Sequence, residues 1–148
     1  MPINRIPSSP KVSFVYPTIL DDSTENEGIV GEAILDVKVK KIPCEFGVLA
    51  VVGVSGLATD YAYSLELNVF FGDEMVTDPD GPSVLADYKV SISLEDLCAA
   101  TYAIELRNIK VAEAGLYTLR VTLREHRDKE KIVIDNGECQ FAVSDRWS

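Results

Sequence analysis

The chain has 148 residues, 47% of them hydrophobic and 26% charged, with a net charge of −10. A chain of this size buries about 70% of its unfolded surface around one core, so a single domain that needs no disulfide staple is expected. Both halves are acidic, with 5 basic against 11 acidic residues in the first 74 and 9 against 13 in the rest, and that sign disfavours nucleic acid and anionic membrane as direct partners.

The opening stretch, MPINRIPSSPKVSF, has no apolar signal core, and the longest apolar run, around Val48 to Val54, is far too short to span a bilayer. Cys44, Cys98 and Cys139 are odd in number and fit no zinc or redox spacing. They read as free thiols of a reducing compartment, with one disulfide plus a spare thiol as the alternative. A cytoplasmic location and no cofactor are therefore expected.

A Pro-rich lead, residues 1–10, is expected to be extended, followed by one domain over residues 11–143 and a tail over 144–148. The first strand is predicted from Lys11 to Ile19, then a polar turn, DDSTENEG, over residues 21–28. In VGEAILDVKVK, Ala33, Leu35, Val37 and Val39 share one face, opposite Asp36, Lys38 and Lys40. That alternation describes a half-buried strand. FGVLAVVGV, residues 46–54, is apolar throughout and reads as a central strand. AYSLELNVFF points Leu65, Leu67, Val69 and Phe71 inward, and residues 72–82 form its turn.

DYKVSISL places Tyr88, Val90, Ile92 and Leu94 on one face. EDLCAA, residues 95–100, suggests a short helical turn. TYAIELRNIKV points Tyr102, Ile104 and Leu106 inward, and near Asn108 the phase passes to Ile109 and Val111, as a β-bulge would make it do. AGLYTLRVTL sends Tyr117, Leu119, Val121 and Leu123 one way and Thr118, Arg120, Thr122 and Arg124 the other. REHRDKEK, residues 124–131, is predicted to be a charged hairpin tip. Asn136-Gly137 is a strong two-residue hairpin signal, or alternatively a loop between sheets, and Cys139 falls in phase with Phe141 and Val143.

Eight or nine short strands separated by turn signals predict an all-β, immunoglobulin-like antiparallel β-sandwich. Gly115 and Tyr117 suit a tyrosine corner, in which a buried phenol bonds back to a backbone carbonyl. The order ILDD, IVG, IPCEFGVLAVVGVSG, YSLELNVFFGDEMV and VAEAGLYTLRVTL resembles a family of small uncharacterised bacterial proteins of domain-of-unknown-function status, over roughly residues 12 to 124. The resemblance implies an immunoglobulin-type sandwich and carries no activity, so no functional residues transfer. The chain departs from that pattern at Ala114, where Pro is common, and in its charged stretch after Leu123.

No catalytic constellation emerges. His126, the only His, would have to serve any Ser-His or Cys-His chemistry, yet it falls in the predicted solvated tip. Cys44 or Cys98 would have to carry a thiol enzyme. Two acidic turns, one with Asp21 and Asp22 and one with Asp73, Asp78 and Asp80, hold the hard oxygens that calcium prefers, which makes a calcium-dependent, C2-like module an alternative. The leading expectation is a non-enzymatic module that binds a protein partner or self-associates through an edge strand. Its charged tip, with Arg124, His126, Arg127 and Lys129, is the candidate contact surface, and a bacterial or phage accessory protein would suit the sequence.

Overall fold

The computed structural model describes residues 10–19, 33–58, 62–77, 83–85, 92–94 and 97–145. Among them run ten strands: β1 (Lys11–Ile19), β2 (Asp36–Val39), β3 (Cys44–Ala58), β4 (Ala62–Phe71), β5 (Glu74–Met75), β6 (Ser83–Leu85), β7 (Ile92–Leu94), β8 (Leu97–Val111), β9 (Gly115–Arg127) and β10 (Glu130–Asp145). One sheet has the order β1-β3-β8-β7. The other has β2-β10-β9-β4-β5, with β6 also paired to β4. The two sheets form a sandwich. The β1-β3-β8-β7 and β4-β9-β10 orders are those of the ABED and CFG sheets of an immunoglobulin domain.

Alternation builds the core. Tyr63, Leu65, Leu67 and Val69 of β4 and Tyr117, Leu119, Val121 and Leu123 of β9 face Ala50, Val52, Val54, Ile104 and Leu106 of the other sheet, all buried. Each large aliphatic chain buried in this way contributes about 1.5–3 kcal/mol. The phase change in β8 is a bulge. Phe46 pairs with Ile109 but Val48 with Leu106, and Asn108 takes φ +59°, so both Leu106 and Ile109 reach the core.

Hydrogen bonds tie the sheets together along both sides. On one side Val12 N donates to Asp135 Oδ2 at 2.8 Å. The segment ahead of β2 also bridges there, with Ile34 N donating to Pro17 O and Ala142 N to Leu35 O, both at 2.8 Å. On the other side Lys110 N donates to Val76 O at 3.0 Å.

Several expectations are corrected. β2 pairs parallel to β10, so the sandwich is not wholly antiparallel. Of the face expected to turn inward around β2, Ala33 and Leu35 are exposed and only Val37 and Val39 are half-buried, because the segment is a strap along the side of the sandwich. Residues 97–100 belong to β8 and are not helical. Asn136-Gly137 makes no turn. Asn136 pairs with Thr122 and Gly137 with Val121 inside one 16-residue strand. That strand takes in residues 144 and 145, expected to be tail, because β2 pairs with them. The expected hairpin tip shrinks to Asp128 and Lys129, flanked by the Arg127–Glu130 pair. Tyr88, Val90 and the turn over residues 21–28 lie outside the described residues.

Candidate functional site: the outer face of β4, β9 and β10

The outward register of β9 carries Leu116, Thr118, Arg120, Thr122, Arg124 and His126. β4 flanks it with Ser64, Glu66, Asn68 and Phe70, and β10 with Asn136, Glu138 and Gln140. Toward β10 the side chains meet directly across the ladder. Arg120 Nε donates to Glu138 Oε1 at 2.8 Å, and Thr122 Oγ1 donates to Asn136 Oδ1 at 3.0 Å.

Toward β4 they meet on the diagonal, always in the same sense. Arg120 stands opposite Asn68, but its guanidinium lies 4.5 Å from the ring centre of Phe70. Arg124 stands opposite Ser64 and pairs with Glu66. His126 stands opposite Ala62, and its Nε2 lies 3.0 Å from Ser64 Oγ. A right-handed twist between neighbouring strands brings such diagonal partners together for long side chains.

The result is a face on which charge is held in place. Leu116, 59% exposed, and Phe70 form an apolar end, and Val133, 49% exposed, stands opposite Arg124. Arg and aromatic side chains that are already ordered lose little freedom on contact, which is the chemistry of interface anchors.

The residues singled out in the sequence are partly gathered here. Arg124 and His126 sit on this face, inside β9 and not in a solvated tip, which corrects the expectation for both. A strand whose outward side chains face water can be as polar as a loop, so polarity alone does not separate the two. Arg127 ends β9 opposite Glu130, and Lys129 is exposed in the turn. Arg120, Glu66, Phe70, Asn136 and Glu138 were not singled out. Their signal was the period-two spacing on each strand, but which strands lie side by side is not written in that spacing.

The Ser64–His126 contact has the spacing of a nucleophile and its base. Ser64, however, is only 6% exposed. Among the described residues no carboxylate bonds the other ring nitrogen of His126 to orient it, as a triad requires. The pair is a hydrogen bond of the face, closing its far end.

Elsewhere, Tyr117 OH donates to Glu113 O at 2.6 Å. Its ring packs against Phe71 and Phe141, and Gly115 has φ +155°. Burial pushes the Tyr117 phenol up, partly opposed by the bond to Glu113. Burial likewise raises the half-buried thiols of Cys44 and Cys139, which makes them poorer nucleophiles at neutral pH. The side chain of Cys98 lies outside the description. Among the described residues no group of three or more His, Cys, Asp or Glu is gathered for a metal. Asp73 is exposed in the turn after β4, and Asp21, Asp22, Asp78 and Asp80 lie outside the described residues. No helix among them is long and apolar enough to cross a membrane.

No family model, curated protein or solved structure matches this chain.

Proposed function

We propose that the chain is a non-enzymatic protein-interaction module that engages its partner through the outer face of β4, β9 and β10. The observation that carries this reading is the pre-ordered ladder of Arg120, Arg124, Glu66 and Glu138 beside Phe70 and the exposed Leu116. Raised, half-buried thiols and a covered Ser64 favour binding over covalent chemistry.

Site-specific photocrosslinking tests it. Benzoylphenylalanine at Gln140, exposed on this face, is expected to capture a discrete partner from an extract of the source cells. The same group at Thr101, exposed on the opposite sheet, is expected to capture none. Reversing both Arg120 and Arg124 to Glu should abolish the product. Equal products at the two positions, or products indifferent to the reversal, overturn the reading. Fluorophosphonate labelling of Ser64 would overturn its non-enzymatic part.

A further inference from the structure

The ion pair of Arg124 with Glu66 has a support on the edge of β4. There β5 pairs with Phe70 and Phe71. The chain then turns away from the ladder, and Val76 O accepts Lys110 N from the other sheet. Val69 is the next residue of β4 along that edge. Its C=O accepts Val76 N at 2.8 Å, and its N–H donates to Thr77 Oγ1 at 3.1 Å. A side-chain hydroxyl thus stands where a ladder would place a backbone carbonyl. Val69 and Thr77 are both buried, so the hydroxyl satisfies an N–H that water does not reach.

That bond sets the direction of the next two. A Thr hydroxyl has one proton to give. With the N–H of Val69 on its oxygen, Thr77 gives that proton to Asn68 Oδ1 at 3.0 Å. Asn68 stands in the outward register of β4, opposite Arg120, yet it is buried. With its carbonyl oxygen turned to Thr77, its Nδ2 points to Glu66 Oε1 at 3.5 Å. The contact is long, and the charge on Glu66 gives it weight. The opposite orientation of the amide would set Oδ1 against the carboxylate, acceptor against acceptor. The hydroxyl and the charge therefore select the same orientation.

Glu66 is then held from two sides. Its Oε1 faces Asn68, and its Oε2 takes Arg124 Nη1. Both members of that ion pair are only half-buried. A pair this close to water contributes little unless its geometry is fixed beforehand. The run of bonds from Val69 through Thr77 and Asn68 to Glu66 fixes it. Arg120 is supported from elsewhere, by Glu138 of β10 and the ring of Phe70, and it shares none of these bonds.

We infer that Thr77 and Asn68 are positioning residues of the binding face. They set the Glu66 carboxylate and, through it, the place and direction of the Arg124 guanidinium that meets the partner. The inference rests on the proposed protein-binding role and names the residues that order one of its two Arg anchors in advance.

Arginine side-chain NMR on the full chain reads that position directly. Arg124→Lys and Arg120→Lys assign the two Nε–H signals. Thr77→Val keeps the shape and deletes the hydroxyl. Asn68→Ala leaves the Thr77–Val69 bond in place and cuts the next link, so it carries the test should Thr77→Val fail to fold. Both variants are expected to move the Arg124 signal and to speed rotation of its guanidinium roughly fivefold, the factor that one ordinary hydrogen bond controls. The Arg120 signal is expected to stay. Thr77→Ser, which keeps the hydroxyl, should restore the Arg124 signal. Crosslinking from benzoylphenylalanine at Gln140 is expected to fall with Val and Ala and to recover with Ser. An Arg124 signal that stays put in both variants, whatever their urea midpoints, would show a structural role alone and overturn the inference. Equal movement of Arg120, or full crosslinking by variants with a loosened Arg124, would overturn it too. If the unchanged chain captures nothing at Gln140, the binding role falls, and the Arg124 signal still decides whether Thr77 and Asn68 order the guanidinium.

Discussion

Two side chains in this molecule separate packing from polarity. Tyr117 combines a ring in the core with a hydroxyl that reaches Glu113 O. Tyr117→Phe removes only the hydrogen bond, and Glu113 is exposed enough to take water in its place. A loss of about 0.5–1.5 kcal/mol is expected by urea unfolding. Tyr117→Ala also empties the space beside Phe71 and Phe141 and is expected to cost about 3–5 kcal/mol. Similar losses for both would show that the bond, not the ring, dominates.

Glycines 53 and 137 make a matched pair. A Cβ at Gly53 would fall 2.1 Å from the ring of Phe14, but that ring is 43% exposed and can swing away. A Cβ at Gly137 would meet Val12 Cγ1 at 2.6 Å and Val12 Cβ at 3.2 Å, with Val121 Cγ1 at 3.3 Å. Val12 is also held through its backbone by Asp135, so β1 itself must shift. Gly137→Ala is expected to cost about 1–3 kcal/mol and Gly53→Ala clearly less, read as denaturant midpoints. The sequence offers Asn136-Gly137 as a turn. The glycine is there because another strand comes close.

Among the described residues, two backbone hydrogen bonds hold the strap ahead of β2. It joins β1 through Ile34 N and β10 through Leu35 O. Ile34→Pro deletes the first of these donors. Amide exchange is expected to accelerate at Ala142 and its neighbours in β10 while the β4–β9 ladder keeps its protection, because weakly held units open independently of the core. Uniform acceleration would show that the strap and the core open together. The end of β9 teaches a related point. Glu125 occupies the inward register after Leu123 and is buried at 3%, and the ladder carries the strand past the last apolar residue. A reading that follows hydrophobic alternation stops at Leu123, where the alternation stops.

For the molecule as a whole, alkaline pH reports on the core. Cys44 and Cys139 are raised from 9.0 and Tyr117 from 10.0, chiefly by burial. The folded chain therefore holds these protons to higher pH than the unfolded chain does. Their contribution to stability is complete below the unfolded values and is lost as pH climbs through the folded ones. Urea midpoints are expected to hold from neutrality and then fall above about pH 9, with the thiols acting before the phenol. The double variant Cys44→Ala, Cys139→Ala should flatten the first part of that fall. An unchanged slope would place its origin elsewhere.

The inward sets of β4, β8 and β9, the bulge at Asn108 and the sandwich class could be read in advance, because alternation is a property of the local backbone and the core accepts only one of the two faces. The parallel seat of β2, the strand character of His126, the straight run through Asn136-Gly137 and the neighbours that make one face of Arg124, Glu66, Arg120 and Phe70 could not. Each depends on which distant segments lie together. That choice is made by the free energy of closing two whole sheets over one another, and no single stretch of chain holds enough of that sum to reveal it.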